Sequence, residues 1–173
     1  MASSENNILQ RIEALKSDYY NANSKNILFK NSQKFECAES IVQQIDLTKL
    51  FETIIRIQDN HMYINYNVFK TVIHPSIYMD LINYIFLINE QILQVCSTYD
   101  VIVDFKGLTM TGVERYKDFI SLLSDQGKIN GKNFLQKLHC VYITNPPFMV
   151  ANIGKILLPL MDRIVKDKIV ILQ

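Results

Sequence analysis

The chain has 173 residues, a mass of 20.1 kDa and 49% apolar residues, which is enough for one folded domain with a well-filled hydrophobic core. Its formal net charge of +1 lacks the basic excess with which nucleic-acid-binding proteins neutralise phosphates, so we expect no nucleic-acid partner. The three cysteines, Cys37, Cys96 and Cys140, lie far apart in apolar surroundings, so we expect reduced core thiols in a cytoplasmic protein, without metal or redox chemistry.

A short helical segment is predicted at the N-terminus. Apolar residues recur at a spacing of three to four within residues 5–30, which indicates an amphipathic helix with the core positions Ile8, Ile12, Leu15 and Tyr19. The polar connection NANSKN follows, and a second short helix is expected around residues 36–45. The charged residues near the start do not fit a signal peptide. We therefore expect residues 1–50 to form a helical N-terminal segment and residues 51–173 to form an α/β domain.

The pattern changes to a predicted β-hairpin after residue 51. The stretches ETIIRIQ and MYINYNVF are rich in β-branched and aromatic residues, and they flank Asp59 and Asn60, which suit a tight turn. His74, Pro75 and Ser76 then begin a long helix, because proline is tolerated in a first helical turn. This helix has one broad apolar face, which we expect to pack on a sheet.

Three further strands, separated by helices, are predicted in the second half of the chain. Residues 101–103 and 140–144 are apolar runs without polar alternation, typical of strands covered on both faces, and residues 168–172 form a third strand. Thr111 and Glu114 fit a capping box at the start of a helix that reaches Ser124. A loop follows at residues 127–131, and another helix covers residues 148–162. This alternation predicts a mainly parallel sheet flanked by helices, an α/β fold.

Neither of the two most apolar stretches is predicted to cross a membrane. Residues 76–96 carry Asp80 and Glu90, whose charges are costly in hydrocarbon, so we expect a core helix. Residues 148–161 are too short for a hydrocarbon layer of roughly 30 Å and contain Lys155 and Pro159. This helix therefore fits against a membrane surface rather than through it.

Signatures of catalysis are not found in the sequence. It contains no nucleophile elbow, phosphate-binding glycine loop, zinc spacing or dinucleotide fingerprint, so we expect neither an enzyme nor a bound cofactor. Asp104 stands at the predicted end of a parallel strand, where some phosphatases carry a nucleophile, but Lys106 replaces the second carboxylate that they need. We expect Asp104 to fix the following loop by accepting backbone N–H groups.

The three histidines are not predicted to bind a metal. His61, His74 and His139 lie in different predicted elements without a shared short spacing, so turn, cap and sheet-edge roles are expected instead. His139 precedes Cys140, but adjacent residues of a strand point to opposite faces and cannot easily act as base and nucleophile.

The strongest candidate for a functional element is the stretch of residues 148–161. One stripe at helical spacing comprises Met149, Ile153, Ile156, Leu157 and Leu160. Most of the remaining helix surface is apolar as well, so the helix is either an ordinary buried helix or a cover over a ligand that comes and goes. Pro159 favours the mobile alternative, because it removes a backbone hydrogen bond and loosens the preceding turn.

Four motifs, in order, resemble those of the CRAL-TRIO lipid-binding family. They are the strand ending in DFKGL, the turn NPPF, a helix with Lys155 and Pro159, and a strand opened by Lys168 and Ile169. The similarity covers about residues 52–172. It implies non-catalytic binding of a lipid or other small hydrophobic ligand, with transfer between membranes as an extension of that role.

The resemblance also implies a site, with the sheet as the floor of an apolar pocket and residues 148–162 as a gate that meets a membrane transiently. The gate and pocket residues would be Phe148, Met149, Ile153, Ile156, Leu157 and Leu160, with Phe148 at the hinge. In phosphoinositide-binding members a lysine after the gate contacts the headgroup, and Lys168 matches it. The glutamate that partners this lysine aligns with Gln136, which leaves phosphoinositide specificity open.

Departures from the family pattern keep a second function open. The sequence ends directly after the last matching strand, without the family's usual C-terminal helical extension, and its N-terminal helical region is short. A reduced pocket would point to the divergent BCH-type branch, whose domains are protein-interaction modules that bind small GTPases or self-associate. Uncovered apolar surface would then mark a partner or homodimer interface. In the carrier case we expect a cytoplasmic protein that is peripheral on membranes.

Overall fold

A computed structural model of the protein describes residues 2–129 and 134–172. Within these residues, five strands form one sheet in the order β1-β2-β3-β4-β5. Their bounds are β1 Ile55–Gln58, β2 His61–Asn65, β3 Tyr99–Asp104, β4 Leu138–Thr144 and β5 Ile169–Ile171. β1 and β2 are antiparallel, whereas β2, β3, β4 and β5 run parallel to one another. The predicted α/β fold with a mainly parallel sheet is confirmed.

The helices of the described residues cover most of the remaining chain. They are α1 Ala2–Ala22, α2 Lys30–Val42, α3 Leu47–Ile54, α4 Tyr66–Val72, α5 Tyr78–Val95, α6 Met110–Ile129, α7 Phe134–Lys137, α8 Val150–Leu157 and α9 Arg163–Lys166. Two 3₁₀ turns, Pro75–Ile77 and Leu158–Leu160, precede α5 and follow α8. The second helix begins at Lys30, earlier than residue 36 where we predicted it. The predicted segment boundary after residue 50 falls inside α3, so this division stays a prediction.

The predicted hairpin is confirmed in its centre and wrong at both ends. Asp46 caps α3 by accepting a hydrogen bond from the Lys49 backbone N–H at 3.0 Å, so the first residues of ETIIRIQ are helical. Asn65 accepts from the Asn67 backbone N–H at 3.1 Å and starts α4, so the end of MYINYNVF is helical as well. Asp59 takes a positive φ of 56° in the tight turn between the strands. Local capping therefore overrides the β-branched composition at both ends.

The start of α6 differs from the predicted capping box. Thr109, rather than Thr111, provides the cap, because its hydroxyl oxygen accepts from the Gly112 backbone N–H at 3.2 Å. The helix also extends beyond its predicted end, so Gly127 is helical rather than part of a loop. The rest of that predicted loop, residues 130 and 131, lies outside the described residues.

The predicted continuous helix over residues 148–162 is wrong, because the helical path is interrupted after Leu157. Pro159 lies in the 3₁₀ turn that follows α8, where its missing N–H removes no α-helical bond. The side chain of Asp162 then accepts from the Ile164 backbone N–H at 2.8 Å and begins α9. Phe148 precedes α8 rather than belonging to it.

The helices that pack on the sheet lie on one of its faces. Because strand order follows chain order, right-handed crossovers return each connection to the same side. On the other face, four side chains lie next to one another across neighbouring strands, namely Tyr63, Ile102, Tyr142 and Val170. Tyr63 is 37% and Val170 41% exposed, and no helix of the described residues covers this row, which we call the open sheet face. The predicted two-sided cover of β3 is therefore wrong for Ile102.

The N-terminal helices share the main hydrophobic core with the rest of the chain. Ile12 of α1 and Ile41 of α2 are buried in the same cluster as Leu50 of α3. α1 packs on α2 and α3, and α2 packs on α4. The three cysteines are free thiols, of which Cys37 and Cys140 are buried.

Candidate functional site

A cavity of about 270 Å³ lies between the sheet and the helices. Its floor is formed by side chains that share one face of β2, β3 and β4, namely Met62, Ile64, Val101, Val103, Val141 and Ile143. Val101 and Val103 are only half-buried although β3 is a central strand below the helices. Their exposed part faces the cavity, which shows that this side of the sheet is not filled by helix side chains.

Helices α5 and α6 form the walls of this cavity. Their contributions include Ile85 and Phe86 from α5 and Val113, Phe119, Ile120 and Leu123 from α6. Phe86 stacks on Phe134, another lining residue, with ring centroids 5.3 Å apart. The lining is almost entirely apolar, which is the character of a pocket for a hydrophobic guest.

The tyrosines of the lining are uncharged. The Tyr99 hydroxyl donates to the Phe134 carbonyl at 3.2 Å, and the Tyr116 hydroxyl donates to the Lys70 carbonyl at 2.9 Å. Burial raises the pKa of both phenols above the ordinary value of 10.0, and it raises the pKa of Tyr66 to about 12. These phenols therefore bring no charge into the cavity near neutral pH.

The segment after β4 lines one side of the cavity. Leu157 of α8 lines it together with Met161, Asp162 and Val165. The sequence prediction missed Met161 and Val165, although Leu157, Met161 and Val165 recur at a spacing of four, which was a usable signal. The predicted stripe ends at Leu160, so neither position is among the predicted gate and pocket residues.

Four predicted gate residues are buried or half-buried, but they do not all line the cavity. Leu157 is buried and lines the cavity. Ile153 is 2% exposed and belongs to the hydrophobic core without lining the cavity. Ile156 and Leu160 are half-buried against that core. A direct ligand contact by Ile153, Ile156 and Leu160 therefore stays a prediction.

The other predicted gate residues lie on the outer surface. The Phe148 side chain is fully exposed, and Met149 is 40% exposed. Leu158, which is not one of the predicted gate residues, is 40% exposed as well. Lys155, on the same segment, is exposed as well. The outside of the gate is thus an apolar surface with a cationic neighbour, a composition that suits a membrane interface.

Lys168 is held at the start of β5 by backbone carbonyl groups. Its Nζ donates to the carbonyl oxygens of Leu135 at 3.2 Å and Gln136 at 3.4 Å, and also to that of Leu138. The structure therefore brings Lys168 and Gln136 together, but through the Gln136 main chain. A headgroup contact by either side chain stays a prediction.

Asp104 has the structural role that the sequence predicted. Its Oδ1 accepts from the Lys106 backbone N–H at 2.9 Å and from the Asn145 side-chain amide at 3.0 Å. Asn145 has a positive φ of 47° in the turn after β4. Asp104 therefore joins the loops that follow β3 and β4.

A group at the opposite edge of the sheet was missed. The Asp100 carboxylate, whose side chain is 8% exposed, lies 2.8 Å from His139 Nδ1 and 3.5 Å from His61 Nε2. The parallel register places His61 directly beside Asp100, which no local spacing reveals. Among the described residues, no group of three or more His, Cys, Asp or Glu side chains is arranged to hold a metal ion.

Two polar side chains of the cavity lining were also missed. Asn89 is 3% and Ser124 9% exposed, and both lie within the apolar faces of α5 and α6. Asn89 Oδ1 and Ser124 Oγ have no hydrogen-bond partner in the part of the chain that the structure describes.

In residues 2–129 and 134–172, no single helix is long and apolar enough to span a membrane. The pair formed by Tyr66–Val72 and Pro75–Val95 qualifies only when taken together, and it bends by 112°.

A comparison with known families identifies this chain's fold family. The family model described as "CRAL/TRIO domain" matches residues 48–173, which include the sheet, the gate and every lining residue of the cavity. No curated protein matches the chain.

Proposed function

The chain belongs to the CRAL/TRIO domain family, whose members bind lipophilic small molecules, and we propose that it binds one lipid or other small hydrophobic ligand without catalysis. The cavity between the sheet, α5, α6 and α8 is the observation that carries this proposal. Its almost entirely apolar lining offers a guest molecule an environment without phenolate charge.

The size of the cavity supports a small ligand. Its volume of about 270 Å³ compares with roughly 150 Å³ for an engineered apolar cavity that takes up benzene. A guest of about ten carbon atoms therefore fits on this scale. Burying a CH₂ group gains about 0.8 kcal/mol, so such a guest gains about 8 kcal/mol before the cost of association. A larger lipid requires the gate to move outward.

Transfer between membranes is the finer part of the proposal. Pro159 interrupts the gate, so α8 can swing without breaking a longer helix. Phe148, Met149 and Leu158 offer an apolar outer surface that can enter a membrane interface while Leu157 leaves the cavity. We propose that the protein acts in the cytoplasm and binds membranes peripherally.

Lys168 remains our candidate for contact with a lipid headgroup. Its ammonium group already donates to backbone carbonyls, so a phosphate must compete with them for the same donors. Exchange of one carbonyl for a phosphate oxygen would leave the remaining donors in place, because an ammonium group has three.

Ligand loading from vesicles tests the proposal. Phosphatidylcholine vesicles containing a medium-chain alkane, alcohol and fatty acid are mixed with the protein, which is then isolated, extracted and analysed by mass spectrometry. We expect the wild type and Leu158→Asp to carry ligand and Leu157→Asp to carry none, because only Leu157 lines the cavity. Equal loading of Leu157→Asp and the wild type would contradict the proposed site.

The open sheet face favours a second candidate function, a protein-interaction module. Parallel sheets are normally covered on both faces, whereas Tyr63, Ile102, Tyr142 and Val170 lack a covering helix in the described chain. A small GTPase or a second copy of the chain would bury this row. Light scattering, and binding assays with a panel of small GTPases, test this candidate. Loss of any observed complex in Tyr142→Glu would support it.

A further inference from the structure

We infer that the ligand of the cavity is a neutral amphiphile with a hydroxyl group, which binds between Asn89 of α5 and Ser124 of α6. This inference rests on the proposed carrier function and specifies its ligand. It starts from two buried polar atoms, Asn89 Oδ1 and Ser124 Oγ, that lack a partner among the described residues. Both residues line the cavity.

Chain direction places the two residues toward the same end of the cavity. Asn89 and Ser124 lie in the last two turns of α5 and α6. These helices lead back to the starts of β3 and β4, which are neighbouring parallel strands. Both polar groups are therefore on the side of the cavity that faces the amino-terminal edge of the sheet.

Three other polar groups of the lining have hydrogen-bond partners within the fold. The hydroxyls of Tyr99 and Tyr116 donate to backbone carbonyls, and the Asp162 carboxylate accepts from a backbone N–H. Buried polar atoms are nearly always paired in this way, since an unpaired atom lowers the stability of the fold. A water molecule at the site would have only these two side chains as partners, fewer than the roughly three that buried waters typically have.

The chemistry of the two atoms defines the ligand group. An amide oxygen only accepts hydrogen bonds, whereas a serine hydroxyl both donates and accepts. A ligand hydroxyl can donate to Asn89 and accept from Ser124 at the same time. An ether oxygen cannot donate, and a carboxylate cannot donate and would bring a charge into an apolar cavity.

Three ligands of similar size test the inference: 1-decanol, nonyl methyl ether and decane. Each is delivered from cyclodextrin to the full chain, and the bound amount is measured by gas chromatography. We expect the wild type to bind the alcohol about tenfold more tightly than the ether or the alkane. In the double variant Asn89→Leu, Ser124→Ala this preference should disappear while the ether and the alkane still bind.

Matched controls come from the same helices. Asn83 is exposed on α5, and Ser121 of α6 does not line the cavity. The double variant Asn83→Leu, Ser121→Ala should therefore keep the preference for the alcohol. A thermal scan without ligand gives an independent readout, because replacing an unpaired amide by an apolar side chain should raise Tm by about 3 °C in Asn89→Leu.

The outcomes separate the inference from the proposed function. If none of the three ligands binds the wild type, the carrier function fails and the inference fails with it. If all three bind equally, or if the double variant keeps the preference, the inference alone fails. A lower Tm for Asn89→Leu would show that Asn89 serves the fold instead. If Asn89→Leu does not fold, the smaller change Ser124→Ala is tested alone. Its binding of the three ligands then shows whether the preference for the alcohol depends on this site.

Discussion

At the scale of single residues, Lys168 has a structural role, although the family resemblance implies that it contacts a ligand. Its Nζ joins the end of α7 and the start of β4 to β5 through the carbonyls of Leu135, Gln136 and Leu138. We predict that Lys168→Met lowers the free energy of unfolding by roughly 1–3 kcal/mol, because charge-assisted hydrogen bonds are lost. Chemical denaturation measures the change.

Lys137 offers a control for this substitution. It is exposed at the end of α7, so Lys137→Met should leave stability nearly unchanged. An unaltered stability of Lys168→Met, together with a selective loss of binding to phosphate-bearing lipids, would instead assign Lys168 to the headgroup.

His74 gives the protein a predictable sensitivity to acid. Burial lowers the pKa of His74 below its ordinary value of 6.5, and Nε2 has no partner among the described residues. As the pH falls through 6.5, the unfolded chain takes up a proton that the folded chain resists, so stability falls. We predict that His74→Leu removes this part of the decline between about pH 8 and pH 5. Denaturation curves at several pH values test it.

The other two histidines provide the comparison. His61 and His139 flank Asp100 at the edge of the sheet, and both are more exposed than His74. Identical pH profiles for the wild type and His74→Leu would show that the acid sensitivity originates elsewhere.

At the scale of elements, two glycines make opposite predictions for the same substitution. Among the described residues, a Cβ on Gly154 of α8 would meet only Leu158 Cδ1, at an ordinary 3.7 Å, whereas a Cβ on Gly112 of α6 would lie 2.5 Å from the Tyr66 hydroxyl oxygen. We predict that Gly154→Ala stabilises the protein by about 1 kcal/mol through helix propensity. Gly112→Ala should destabilise it by roughly 1–3 kcal/mol through overpacking. Thermal unfolding distinguishes the two.

A double variant isolates the cause. Tyr66→Phe removes the hydroxyl that the new methyl group meets, so it should recover much of the stability lost in Gly112→Ala. If Gly112→Ala alone is as stable as Gly154→Ala, the close approach of Tyr66 is not a constraint on α6.

Elements could be predicted from the sequence where one periodicity dominates, and less well where local capping competes with composition. The strands around Val101 and Cys140 and the long helix after Pro75 follow directly from apolar patterns and a proline. The ends of the hairpin could not be predicted in this way. There, Asp46 and Asn65 satisfy free helical N–H groups and turn β-branched segments into helices.

At the scale of the whole molecule, strand register and side-chain packing determine which distant residues meet and how large the cavity is. Neither could be predicted from sequence patterns. Register places His61, Asp100 and His139 together, although they are far apart in the chain. The order of the strands puts the helices on one face and leaves the other open. The family motifs predicted a pocket, but its volume depends on how all lining side chains fill the space between sheet and helices.

The central claim is that the space between the sheet and the helices is a ligand cavity. It makes a prediction for Val101, which belongs to the cavity floor. Val101 faces the cavity between Met62 and Val141, and the adjacent Ile102 lies on the open sheet face. Val101→Phe should fill the cavity without lowering the free energy of unfolding by the roughly 1–3 kcal/mol that overpacking costs in a solid core. Ile102→Phe, which adds a ring on the other face, serves as the control.

The amount of 1-decanol bound per chain in Val101→Phe, relative to the wild type and Ile102→Phe, is the most direct test. We predict saturable binding to the wild type and to Ile102→Phe, and none to a folded Val101→Phe. Binding that is equal in all three proteins, or absent from the wild type, would contradict a ligand cavity above the sheet.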